Sequence, residues 1–130
     1  MNRDLAAAAL ALVGTPYRLH GRDPGTGLDC VGLIAEAAAR IGRTLPAPTA
    51  YRLRTRVDPR WIAEVEQREF RRVASGGAVL LAQVHAFQPH LVIAAPGGVV
   101  HAHAGLRRVT FLPDPLPWPV VRAWVLSSPT

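Results

Sequence analysis

The first apolar run, Leu5 to Val13, follows the polar Asn2-Arg3-Asp4 and stops at Gly14-Thr15-Pro16. This pattern predicts a helix over residues 2–13, ended by a glycine and a turn. Residues 14–28 hold Gly14, Pro16, Gly21, Pro24, Gly25 and Gly27, the composition of an ordered loop. Asp29 then precedes Cys30–Arg40, which reads as a second helix with Asp29 as its N-cap and an end near Gly42. Residues 43–57 form a Pro- and Arg-rich connection. Asp58-Pro59 opens a third helix, with Trp61, Ile62, Val65 and Phe70 on roughly one face. Past Ser75-Gly76-Gly77 the period changes to that of strands: Val79–Val84, Leu91–Ala95, Val99–Ala102, Arg108–Phe111 and Val120–Leu126, with a turn at Pro96-Gly97-Gly98. Helices first and antiparallel strands afterwards predict an α+β fold, N-terminal helices packed on a central antiparallel sheet of about five strands. No internal repeat or linker divides residues 1–130, so one domain is expected.

Composition narrows the class. Hydrophobic residues are 49% of the 130, enough for a core without staples. Eleven glycines and twelve prolines stay below the ~25–30% typical of low-complexity chains, which excludes collagen-like and disordered classes. The longest apolar run falls far short of the ~20 residues of a membrane-spanning helix. The N-terminus loosely resembles a secretory signal. Its charges are balanced, however, and no small-x-small cleavage site follows, so residues 2–13 are expected to belong to the mature protein and synthesis to be cytoplasmic. One cysteine excludes a disulfide framework and a Cys-based zinc finger, and leaves the compartment open.

The net charge is +6, and all fifteen basic residues are arginine. Such a chain is drawn to polyanions, whether nucleic acid, anionic membrane or cell-wall polymer. A GC-rich genome produces the same all-Arg set by codon bias. The arginines at 52, 54, 56, 60, 68, 71 and 72 are not interleaved with aromatic residues as a single-strand groove requires. They read as a solvated face, and no nucleic-acid partner is expected.

Cys30 opens a predicted helix, where free N–H groups and the helix dipole favour a thiolate and could hold an oxyanion. Gly25-Thr26-Gly27-Leu28 before it lets the backbone approach a ligand closely. The alternative is a small buried hydrophobe. A thiolate enzyme needs a base, and five histidines are available: His20, His85, His90, His101 and His103. If the turn at Pro96-Gly97-Gly98 has two central residues, His90, His101 and His103 share one face of the sheet; with three they do not. Such a face could be a metal site, a Cys–His pair with a second polar group orienting the base, or a set of hydrogen-bonded structural histidines. The one carboxylate-rich segment, around Glu64 to Glu69, has nothing to place it near this hairpin, and no metal is expected. Gly-x-Ser-x-Gly, His-Glu-x-x-His, Walker and dinucleotide-loop motifs are absent.

Gly14-Thr15-Pro16-Tyr17-Arg18, then Gly21, then Thr26-Gly27-Leu28-Asp29-Cys30-Val31-Gly32-Leu33 resembles the nucleophile segment of the NlpC family of papain-like cell-wall cysteine peptidases. His90-Leu91-Val92-Ile93, a turn, and Val99-Val100-His101-Ala102 resemble that family's base strand and orienting strand. The resemblance runs from about residue 5 to 125 and implies a papain-like, NlpC-type catalytic domain without an accessory wall-binding domain. It implies Cys30 as nucleophile, His90 as general base and His101 as the residue orienting it, with His103 the alternative. Tyr17 corresponds to the pocket tyrosine, and the Cys30 backbone N–H would contribute to the oxyanion hole. Asp29 reads mainly as a cap. Arg18, Arg22 and Arg52 are candidates to pair with substrate carboxylates.

The implied reaction is hydrolysis of a peptidoglycan stem-peptide amide through a thioester, with no cofactor. Val31 departs from the serine common after the nucleophile, and Gly77-Ala78-Val79 lacks the usual Asp. Val31, the short chain and Leu45-Pro46-Ala47-Pro48-Thr49-Ala50-Tyr51 resemble the phage-tail and gene-transfer-agent branch. That implies a wall-opening tail component, with tail proteins as partners, carried in a particle or released on lysis. The alternatives are a non-catalytic tail or plug protein of the same fold, and a thiol acyltransferase or amidase acting on a non-wall substrate.

Overall fold

The computed structural model describes residues 1–45, 59–85 and 88–127. Arg52, the segment 46–51 and most of the 43–57 connection lie outside these residues. Among the described residues there are three helices: α1 (Arg3–Ala11), α2 (Cys30–Arg40) and α3 (Pro59–Arg68). A small hairpin of β1 (Arg22–Asp23) and β2 (Gly27–Leu28) sits in the glycine-rich loop. The main sheet holds β3 (Phe70–Val73), β4 (Val79–His85), β5 (Gln88–Ala95), β6 (Gly98–His103), β7 (Arg108–Pro113) and β8 (Val120–Leu126). Its order is β3-β8-β4-β5-β6-β7, every pairing antiparallel. The fold is α+β.

Each helix is bounded by the chemistry its sequence suggests. Asn2 caps α1, its side chain accepting from the Leu5 N–H at 2.9 Å. α2 ends at Ile41 and Gly42, where Gly42 takes φ +84° and the Arg43 N–H returns to the Ala38 carbonyl at 2.8 Å. The buried stripes of α1 (Leu5, Ala9) and α2 (Leu33, Ile34, Ala37) meet Leu91, Ile93, Val100, Ala102 and Val109 in one apolar core. The opposite face of β5, β6 and β7 carries His90, His101, His103 and Thr110 beside the buried Val92 and Val99.

Six strands form the sheet among the described residues, where about five were expected. The structure corrects one expectation: Phe70 belongs to the added strand instead of extending the third helix. α3 stops at Arg68 because Phe70 is needed elsewhere: it is 1% exposed, pairs with Leu126 and packs its ring 5.7 Å from Trp124. Ile62 and Val65 remain on the buried face of α3, as the period predicted.

Glu66 ties α3 to the sheet. Its carboxylate accepts from Arg72 Nε and Nη2 at 2.9 and 3.0 Å and from the Trp124 indole N–H at 3.1 Å. Arg122 stands 3.8 Å away. Trp124 is fully buried, so removing its acceptor orphans a donor. Glu66→Ala is therefore expected to cost about 1–3 kcal/mol, read from the urea-unfolding midpoint. Among the described residues, no helix is long and apolar enough to cross a membrane.

Candidate active site

Asp29 organises the start of α2. It is 1% exposed, and its carboxylate accepts from the Gly32 N–H (2.8 Å), the His20 N–H (2.8 Å) and Arg22 Nη1 (3.0 Å). One side chain thus caps the helix and gathers the preceding loop. Gly32 faces that loop: a Cβ there would overlap the Gly21 carbonyl oxygen, and one at Gly21 would overlap the Gly27 carbonyl oxygen. Tyr17 enters through backbone contacts, its N–H donating to the Arg107 carbonyl at 2.9 Å. The exposed Arg18 follows it, its N–H donating to the Leu28 carbonyl at 3.3 Å.

Cys30 is the first residue of α2, half-buried at the core's edge. Its sulfur is met by the backbone N–H groups of Val31 and of Leu91, the residue after His90. This contact brings α2 and β5 together at the proposed chemistry. Burial pushes the thiol up to about 11, and the Asp29 charge adds to the rise. The two N–H groups and Arg22 pull it down, but by less. A lowered thiol pKa, expected from the helix start alone, is thus corrected: desolvation and the capping carboxylate outweigh the helix terminus. Tyr17 lies close enough to feel both groups. Burial first, then Cys30 and Asp29, hold its hydroxyl above the usual phenol range, so it stays a hydrogen-bond donor.

At the tip of the β5–β6 hairpin, Ala95 pairs with Gly98, leaving Pro96 and Gly97 as two central turn residues. Gly97 takes φ +77°, as the third position of a type II turn requires. The condition for a shared histidine face is met. His90 Nε2 and His101 Nδ1 are 3.0 Å apart, and the His101 and His103 rings lie 5.4 Å apart. His103 is tied instead to its own turn, Nδ1 accepting from the Leu106 N–H at 3.1 Å. His101, not His103, is therefore the hydrogen-bond partner of His90. His20 contributes through its backbone, and the His85 side chain lies outside the described residues. Among the described residues, no three His, Cys, Asp or Glu side chains gather as a metal site.

Two neighbours of the imidazoles escaped sequence reasoning. Thr110 of β7 places Oγ1 3.2 Å from His101 Nε2. Trp118, in the connection to β8, sets its ring edge-on to His90 and His101 at 6.0 and 5.6 Å. Burial pushes His90 down from 6.5 to about 3, helped by the His101 and His103 charges. Burial, then His103, takes His101 to about 4. At rest the site holds a thiol and two neutral imidazoles.

These directions fix a stability profile. A histidine whose folded pKa is depressed binds fewer protons folded than unfolded, so its contribution is complete above 6.5 and is lost toward 4 and 3. A thiol that keeps its proton up to about 11 loses stability as pH rises above its ordinary 9. The urea midpoint is expected to be flat between those limits and to fall on both sides. His101→Gln should make the acid limb shallower.

Comparison with solved structures places this architecture. The NlpC/p60 domain of the peptidoglycan hydrolase SagA matches with a TM-score of 0.56 at 22% identity, over 85% of this chain and 86% of that one. An NLP/p60-family protein described as similar to a lipoprotein, from Staphylococcus aureus, matches at 0.59 and 18% identity, over 97% of this chain. The peptidoglycan hydrolase RipB from Mycobacterium tuberculosis matches at 0.54 and 20% identity, over 93% of this chain. The chain spans only 41% and 61% of the latter two. No family profile and no curated protein matches the sequence. The fold is that of NlpC/p60 domains.

Proposed function

We propose that the protein is a cysteine peptidase that hydrolyses amide bonds of peptidoglycan stem peptides. The observation that carries this reading is the convergence of Cys30, at the start of a capped helix, on the backbone beside His90, whose ring is hydrogen-bonded to His101. The similar solved structures include two described as peptidoglycan hydrolases, which supports the substrate class.

In this mechanism His90 takes the thiol proton as the sulfur attacks the scissile carbonyl, forming a tetrahedral oxyanion. In this reading the Cys30 N–H and the Tyr17 hydroxyl donate to it. The oxyanion collapses to a thioester as the imidazolium protonates the leaving amine. Water, deprotonated by His90, then releases the acid and restores the thiol. Proton transfer creates thiolate and imidazolium together, and each stabilises the other more strongly in a desolvated site than in water. Arg18 offers an exposed cation beside Tyr17 for a substrate carboxylate.

The Leu45–Tyr51 pattern and Val31 support a setting in a tail-like wall-opening particle, with synthesis in the cytoplasm. A second reading, a non-catalytic tail protein of this fold, is favoured by one observation: the resting thiol is pushed up and both imidazoles down. Incubation with purified sacculi, followed by mass spectrometry of soluble products, separates the two. New free amino groups on stem peptides support the peptidase. Intact sacculi, with the particle's function surviving loss of the thiol, support the structural protein.

A further inference from the structure

His101 is 4% exposed, and both its ring nitrogens are engaged. Nδ1 faces His90 Nε2 at 3.0 Å, and Nε2 faces Thr110 Oγ1 at 3.2 Å. Thr110 pairs directly with His101 across β6 and β7, which puts the two side chains on one face. A neutral imidazole has one N–H and one bare nitrogen, so only two proton arrangements satisfy both contacts. In the first, His90 Nε2–H donates to His101 Nδ1 and His101 Nε2–H donates to the threonine oxygen. In the second, every donor reverses: the threonine hydroxyl donates to His101 Nε2, and His101 Nδ1–H donates to His90 Nε2. The first puts both rings in the Nε2–H form that free histidine prefers and leaves His90 Nδ1 bare. The second places the proton on His90 Nδ1.

We propose that Thr110 is a positioning residue: its hydroxyl accepts the His101 Nε2–H and holds the histidine pair in the arrangement that keeps His90 Nδ1 free to take a proton. This rests on the reading of His90 as the base, since His90 Nε2 is already committed to His101. Trp118 sets its ring edge-on against both imidazoles, so an aromatic side chain flanks the pair. Without that hydroxyl the His101 N–H is orphaned in a buried place. Moving the proton to Nδ1 relieves it, and the price is a His90 that already carries its proton where the thiol's must go.

The test is the tautomer itself. Two-bond proton–nitrogen correlation on isotope-labelled histidine side chains, at neutral pH, shows which nitrogen carries the hydrogen. The wild type should show Nε2–H in both His90 and His101. Thr110→Val preserves the branched shape and should move both protons to Nδ1, with peptide release from purified sacculi falling on the order of tenfold or more. Thr110→Ser should keep the wild-type tautomers and restore release to within about twofold. An Nδ1–H tautomer of His101 in the wild type overturns the proposal and needs no variant. So does Thr110→Val with unchanged tautomers. Sacculi untouched by the wild type would overturn the peptidase reading alone, because the spectra decide the hydrogen-bond assignment independently.

Discussion

Cys30→Ala is expected to lower peptide release from purified sacculi by about 10⁴-fold, to the level of the buffer control, while the protein stays folded. The size follows from the proposed role. Without sulfur no thioester forms, and a histidine pair with neutral rings and depressed pKa values is a poor activator of water on its own. The fold should survive because the side chain is small and half-buried, and the capping of α2 is made by Asp29. Circular dichroism and the urea midpoint check that condition, and mass spectrometry of released peptides measures the loss. His90→Ala should fall nearly as far, because members of such a unit do not contribute additively. Release that persists in Cys30→Ala would remove the thioester mechanism, whatever the fold.

Gly32→Ala is expected to destabilise the protein by about 3 kcal/mol, against the direction that helix propensity predicts. Inside a helix, alanine is ordinarily better than glycine by about 0.5–1 kcal/mol. Here the added Cβ would overlap the Gly21 carbonyl oxygen, a backbone atom that cannot rotate away. Gly21 is itself closed in by the Gly27 carbonyl, and Gly27 sits at φ +135°, so the displacement would pass through the whole loop. The Asp29 contacts to the His20 N–H and to Arg22 lie in its path. Reduced release from sacculi should accompany the lower urea midpoint, because Tyr17 and Cys30 are placed by the same loop. A midpoint equal to or above the wild type would show that the loop is not locked on α2.

The loop and the start of α2 were legible because their causes are local. An Asp before a helical run is a cap wherever it occurs, and a Pro-Gly pair between apolar runs is a turn. The histidine face was legible only conditionally, since one residue more in the turn would have sent His101 to the other side of the sheet. The strand Phe70–Val73 was not legible. Four residues with two arginines carry too little alternation, and Phe70 fits the helical stripe of Val65 until Trp124 claims it.

By itself the sequence determined the α+β order, the capped helix that begins with Cys30, the glycine spacing before it and the place of the turn between the two histidine strands. Each depends on the conformational preferences of a few neighbouring residues. Tertiary structure alone decided the choice of His101 over His103, the arrival of Thr110 and Trp118 at the imidazoles, and the upward shift of the thiol. Those depend on strand register across β6 and β7, on a connection folding back over the sheet, and on how much water the packed core removes from the sulfur. Contacts between residues distant in sequence set all three, and desolvation is a property of the assembled interior, not of any local run of residues.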